Sequence, residues 1–162
     1  MARLPHAALF RGRHFPDEII TLAVRWYLRY SLSYRDLEEL LRHLTVRQRA
    51  GRWCMVSGSE VPAGTAVAAT IVEDEGTTSV MLVADAERLG VHPEFVAAWL
   101  TLEVHSSLEA VGLTAAVAAA LAAENISCNV LAGYYHDHLL VPFDQAERSI
   151  GALNALRDSH LA

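Results

Sequence analysis

Apolar positions between Pro16 and Leu28 recur at helical spacing: Ile19, Ile20, Ala23, Val24, Tyr27 and Leu28 share one face. Pro16 suits a first helical turn, and Asp17 and Glu18 suit the positive end of a helix. After a break at Tyr30–Ser31, Ser33 reads as an N-cap with Asp36 three residues on. Leu37, Leu40, Leu41 and Leu44 then form the stripe of a second helix. Two short helices joined by a tight turn open a helix-turn-helix.

From Trp53 the period changes. Trp53–Val56, Ala66–Val72 and Thr78–Val83 read as strands, the last two divided by the turn sequence Glu73-Asp74-Glu75-Gly76. A short helix over Asp85–Leu89 ends at Gly90. Trp99–Val104 is a further strand, and Ser106 and Glu109 form an S-x-x-E capping box opening an alanine-rich helix to about Glu124. Ile126–Ala132 and Leu139–Val141 read as a hairpin, and Asp144 caps a final helix to Leu156. From Trp99 onward the order is that of a ferredoxin-like split βαβ lacking its last strand, and Trp53–Leu89 reads as an incomplete copy. The expected architecture is α+β: two unequal lobes on one sheet, preceded by a two-helix N-terminal segment. The division is 1–44, 45–97 and 98–162.

Charge sharpens that division. Residues 1–52 hold ten arginines against five acids, and residues 53–162 hold three arginines against fourteen acids. The balance is +5 and then −11, within a net charge of −6. The first part is electrostatically suited to nucleic acid and the second repels it. Lysine is absent throughout, which we read as base composition of the gene. At 162 residues and 52% hydrophobic content the chain can bury a core. Cys54 and Cys128 form no C-x-x-C, so neither a zinc nor a redox motif is expected. The longest apolar run, Ala110–Ala123, has 14 residues where a bilayer needs about 20. The N-terminus lacks a continuous apolar core for a signal peptide, so a cytoplasmic protein without membrane contact is expected.

The stretch F-R-G-R-H-F-P-D-E-I-I-T-L-A-V-R-W-Y-L-R-Y-S-L-S-Y-R-D-L-E-E-L, Phe10–Leu40, resembles the N-terminus of a family of DDE insertion-sequence transposases. In that family these helices lead to a recognition helix and a carboxylate-bearing catalytic domain. The pattern departs after about Leu41, and the remaining chain has no room for an RNase H-like domain. The resemblance thus implies a gene-fusion remnant. The alternative function is a catalytically inactive DNA-binding transposase fragment, with weak contacts from Arg11, Arg13, Arg25, Arg29 and Arg35.

L-E-V-H-S-S-L-E-A-V-G-L-T-A-A-V from Leu102, and I-S-C-N-V-L-A-G-Y-Y-H-D-H-L-L-V-P from Ile126, resemble small bacterial ACT-domain proteins related to the ACT module of CASTOR arginine sensors. The resemblance spans about residues 40–158. It implies a βαββαβ ACT fold with a smaller incomplete ACT-like lobe. It also implies a non-catalytic regulatory module that binds an amino acid between paired domains, hence a homodimer.

The candidate ligand residues follow on chemical grounds. A strand-to-helix loop at His105–Glu109 presents free N–H groups to a carboxylate. Ser106 and Ser107 add hydroxyls, Glu109 suits an ammonium or guanidinium, and Gly112 admits a close neighbour. The plain alternative is that Ser106 and Glu109 only cap a helix. Tyr134 and Tyr135 are placed to stack on a ligand or to pack beside a turn. His136 and His138 are spaced to share a strand face around Asp137, a divalent-metal donor set with His105. A bare H-x-H falls short of a metal motif, so a hydrogen-bonded hairpin is expected and no metal or cofactor. No serine elbow, catalytic dyad or glycine-rich phosphate loop is present, with Gly58, Gly64 and Gly76 isolated, so no enzyme chemistry is expected.

Overall fold

The computed structural model describes residues 34–58, 61–104 and 112–161. The first predicted helix, Arg11, Arg13, Arg25 and Arg29 lie outside the described residues, as does the side chain of Arg35. The elements are α1 (Tyr34–Arg42), β1 (Thr45–Gly58), β2 (Val67–Glu73), β3 (Gly76–Leu82), α2 (Val83–Arg88), β4 (Ala97–Glu103), α3 (Leu113–Ala123), β5 (Asn129–Ala132), β6 (Asp137–Pro142) and α4 (Ala146–Asp158). The six strands form one sheet, ordered β2-β3-β1-β4-β6-β5, in which every neighbouring pair is antiparallel. This is a ferredoxin-like α+β fold.

The sheet joins two incomplete units through its central strands. β4, α3, β5, β6 and α4 follow the βαββα order, and their strands pair as β4-β6-β5. The fourth-strand place beside β4 is filled by β1, so the strand missing from the C-terminal sequence comes from upstream. Conversely, β1, β2, β3 and α2 pair as β2-β3-β1, and β4 is their fourth strand. Each unit is completed by the other's first strand.

β1 is 14 residues long because it serves both partners. Thr45–Arg49 pairs with Glu103–Trp99 of β4, whereas Trp53–Gly58 pairs with Leu82–Thr77 of β3. The short strand expected at Trp53–Val56 is only its second half. Its first half, T-V-R-Q-R, carries too little apolar alternation to be read as a strand; paired on one side, it is largely exposed. Between Arg49 and Trp53 the register shifts, and Ala50, Gly51 and Arg52 stand against Ala98 alone. Gly51 takes φ +104° there, a conformation suited to a bulge.

The main core lies between one sheet face and three helices. Leu41 and Leu44 of the α1 region, Leu113, Val117 and Leu121 of α3, and Ala146 and Leu153 from α4 meet Ala98, Leu100, Leu102, Leu139 and Val141. These sheet residues follow period-two alternation along β4 and β6. A second cluster on that side gathers Cys54, Met81, Val83 and Ala86 around α2. Trp53, Val80, Ala97, Trp99 and Leu140 form a third cluster. Its β4 and β6 members have the parity opposite to the main core, so it occupies the other sheet face.

Candidate functional site

The end of β4, the start of α3 and the β5–β6 hairpin converge in the C-terminal unit. Leu102 of β4 pairs with Asp137, the first residue of β6. The Thr114 hydroxyl, in the first turn of α3, donates to Asp137 Oδ2 at 3.5 Å. A carboxylate there also complements the positive end of the helix. Gly112 is the α3 N-cap with φ +104°. A Cβ on Gly112 would lie 3.0 Å from Leu37 Cδ2, so it is the α1 side chain of Leu37, and no backbone, that approaches closely. Described α3 starts at Leu113, well after Ser106. His105, Ser106, Ser107 and Glu109 lie outside the described residues.

The hairpin is closed by a hydrogen bond from Gly133 N–H to the His136 carbonyl at 3.1 Å. A Cβ at Gly133 would stand 2.7 Å from that oxygen, so the turn excludes any side chain there. Tyr134 and Tyr135 occupy the tip. They are 75% and 78% exposed, with rings edge-to-face at 5.0 Å. Neither packs as a core aromatic; both are exposed at the hairpin tip.

His136 and His138 do not share a strand face as two residues of β6. The turn closes on the His136 carbonyl, and β6 begins only at Asp137. His138 pairs across β4 with Thr101, and its Nδ1 is 3.1 Å from Thr101 Oγ1. Its ring stands edge-on to Trp99 at 5.3 Å. Burial pushes the His138 pKa down, and positive charge at His136, Arg49 and Arg47 adds to the depression against an opposing Asp137. Alternation along β6 thus sends Asp137 to the helix side and His138 to the other face. Among the described residues, no group of three or more His, Cys, Asp or Glu is placed to hold a metal ion.

One constellation escaped the sequence reading. Trp53 and Trp99 are 6% and 3% exposed and lie edge-to-face at 5.0 Å. The Arg49 guanidinium covers both rings, at 4.4 and 4.9 Å from their centres. Buried indole N–H groups usually find an acceptor, yet Nε1 of both tryptophans lacks one among the described residues. A buried donor left unpaired costs about 1–3 kcal/mol. The signal was in principle available: R-x-R-x-x-x-W on one strand and W-x-T on another put two guanidiniums, two indoles and a hydroxyl on one face by parity alone. It requires the long β1 to be recognised first.

Comparison with known proteins agrees with this fold. The ACT domain matches twice, over residues 33–98 and 94–155. A Vibrio cholerae protein of unknown function, described as a possible transport protein, is 36% identical; the match covers 76% of this chain and 97% of that one, with a TM-score of 0.69. The regulatory subunit of aspartate kinase from Thermus flavus is 13% identical and shares the fold, with a TM-score of 0.50 over 70% of this chain and 97% of that one. At the N-terminus, 33 residues are 58% identical to a Staphylococcus aureus transposase for an insertion sequence-like element. That stretch is 20% of this chain, and the chain spans only 15% of the transposase's length. Among the described residues no helix is long and apolar enough to cross a membrane. With 36% identity over nearly the whole of the Vibrio cholerae protein and two ACT-domain matches within residues 33–155, the chain belongs to that protein's family and carries the ACT fold.

Proposed function

We propose that this chain is a non-catalytic regulatory module that binds a small molecule, an amino acid, and works as a homodimer in the cytoplasm. The observation that carries the reading is the Thr114–Asp137 contact, which draws the G-Y-Y-H-D-H hairpin against the first turn of α3. In the proposed site the connection before Gly112 supplies His105, Ser106 and Ser107, and N–H groups at the helix start take the ligand carboxylate. Glu109 takes its ammonium or guanidinium. Tyr134 and Tyr135 provide aromatic faces, and Asp137 and His136 edge the pocket. The two ACT-domain matches support a regulatory role, as does the fold shared with an aspartate kinase regulatory subunit.

The test is a thermal-shift and calorimetric screen of the full chain against the common amino acids. Mass action predicts a midpoint that climbs with concentration for one or two of them. Asp137→Ala, which removes the acceptor of the Thr114 hydroxyl while keeping the main-chain strand pairing, should weaken that response. A flat panel with a cooperative melt would refute amino-acid binding.

A second reading rests on the 33-residue transposase match. Here Arg11, Arg13, Arg25, Arg29 and Arg35 retain weak affinity for DNA. A gel shift with insertion-sequence end DNA should then show binding that falls steeply with salt. No retardation at low salt would dispose of it.

A further inference from the structure

On the sheet face turned away from α1, α3 and α4, cross-strand register lines up two rows of side chains. Arg47 stands opposite Thr101 and Thr101 opposite His138; Arg49 stands opposite Trp99 and Trp99 opposite Leu140. Arg47 is ion-paired with Glu103, which neutralises it. Arg49 makes no hydrogen bond or ion pair among the described residues and rests on the two indoles instead. Beneath that guanidinium are two rings whose N–H donors lack acceptors among the described residues. The Trp53 Nε1 lies 3.8 Å from where a Gly51 Cβ would stand, and the Leu82 side chain already fills that place. His138 is held towards its neutral form, so it adds a polar edge and little charge. The net field is that of one cation above two unpaired donors.

We infer that this face carries a second binding site, separate from the α3 start, for a small carboxylate anion held by Arg49 and the indole N–H groups of Trp53 and Trp99. A carboxylate suits the set on three counts. It accepts from a guanidinium fork and from N–H donors together. Its single negative charge matches Arg49, which is uncompensated among the described residues, whereas a phosphate dianion would be left half-neutralised. Its alkyl or aryl body suits the surrounding partly buried apolar side chains of Met55, Leu82 and Leu131. Arg49 is exposed and on a long flexible stem, so it can lift from the indoles to admit the anion.

The experiment is an NMR titration of the full chain with sodium acetate, set against sodium chloride at equal ionic strength. The indole N–H signals of Trp53 and Trp99 are identified with Trp53→Phe and Trp99→Phe. Both signals should move and saturate with acetate, and neither should move with chloride or with neutral acetamide. Arg49→Gln should raise the half-saturation concentration roughly tenfold or more, as expected for losing a charged partner. Signals that stay still, or that follow chloride or acetamide equally, overturn the proposal. So does an Arg49→Gln chain, folded by its spectrum, that titrates like its parent. Inorganic phosphate saturating below acetate would overturn the monocarboxylate assignment. The titration of the unaltered chain decides the matter even if a variant lost its fold. Acetate has no ammonium group, so silent indoles alongside an amino-acid response at the start of α3 would sink this site alone.

Discussion

Thr101 Oγ1 and His138 Nδ1 meet at 3.1 Å across the β4–β6 pair, which commits the histidine to the sheet face opposite the main core. There its pKa falls below the ordinary 6.5, chiefly through burial. The unfolded chain therefore binds a proton more readily than the folded one. Stability from this group is complete above the ordinary histidine range and declines as pH falls from there towards the lowered folded value. Urea midpoints taken between neutral and mildly acidic pH should drop for the parent. His138→Asn should flatten that segment of the profile.

Gly112 holds φ +104° with Leu37 against the place a Cβ would take. Gly112→Ala should destabilise by about 1–2 kcal/mol, since an L side chain in that conformation is strained. A lowered urea midpoint with unchanged slope is the expected signature. An unchanged midpoint would mean that the α3 start adapts freely.

Leu41 is 2% exposed within the main core. Leu41→Ala should cost about 2–5 kcal/mol, as deep leucine truncations do. The measurement is equilibrium unfolding of the full chain. A loss below about 0.5 kcal/mol, the range of surface changes, would show α1 to be peripheral to the fold.

Burial raises the thiol pKa of Cys54 and of Cys128, and the charge of Glu87 adds to the effect at Cys54. Cys54 is wholly buried and Cys128 only partly so. A thiol reagent at neutral pH should label Cys128 slowly in the native chain and Cys54 only on unfolding. Mass spectrometry of a partly labelled sample reads this directly.

The sequence was most legible where apolar spacing alone decides structure. Leu37, Leu40 and Leu41 mark α1, whereas Leu44 falls just past its end, and Trp99, Leu102 and the Leu139–Val141 run mark two interior strands. It was least legible where pairing overrides composition. Arg47, Gln48 and Arg49 lie in a strand because β4 supplies their hydrogen bonds, and nothing local reveals that partner. The same holds for the strand missing from the C-terminal unit. The hairpin was visible as G-Y-Y-H-D-H. The turn itself separates His136 from His138, and spacing cannot register where pairing begins. The tryptophan pair was missed for a related reason: 46 positions of chain separate two residues that only the β1–β4 pairing brings together.

The exchange of strands between the two units bears on how this chain folds. Either ACT match taken alone lacks a central neighbour, so cutting the gene between them would leave two fragments with a bare, hydrogen-bond-hungry flank. The β1–β4 ladder closes a long loop, which delays the decisive step until most of the chain has emerged from the ribosome. Both units should therefore melt in a single transition, and damage to one should be felt in full by the other.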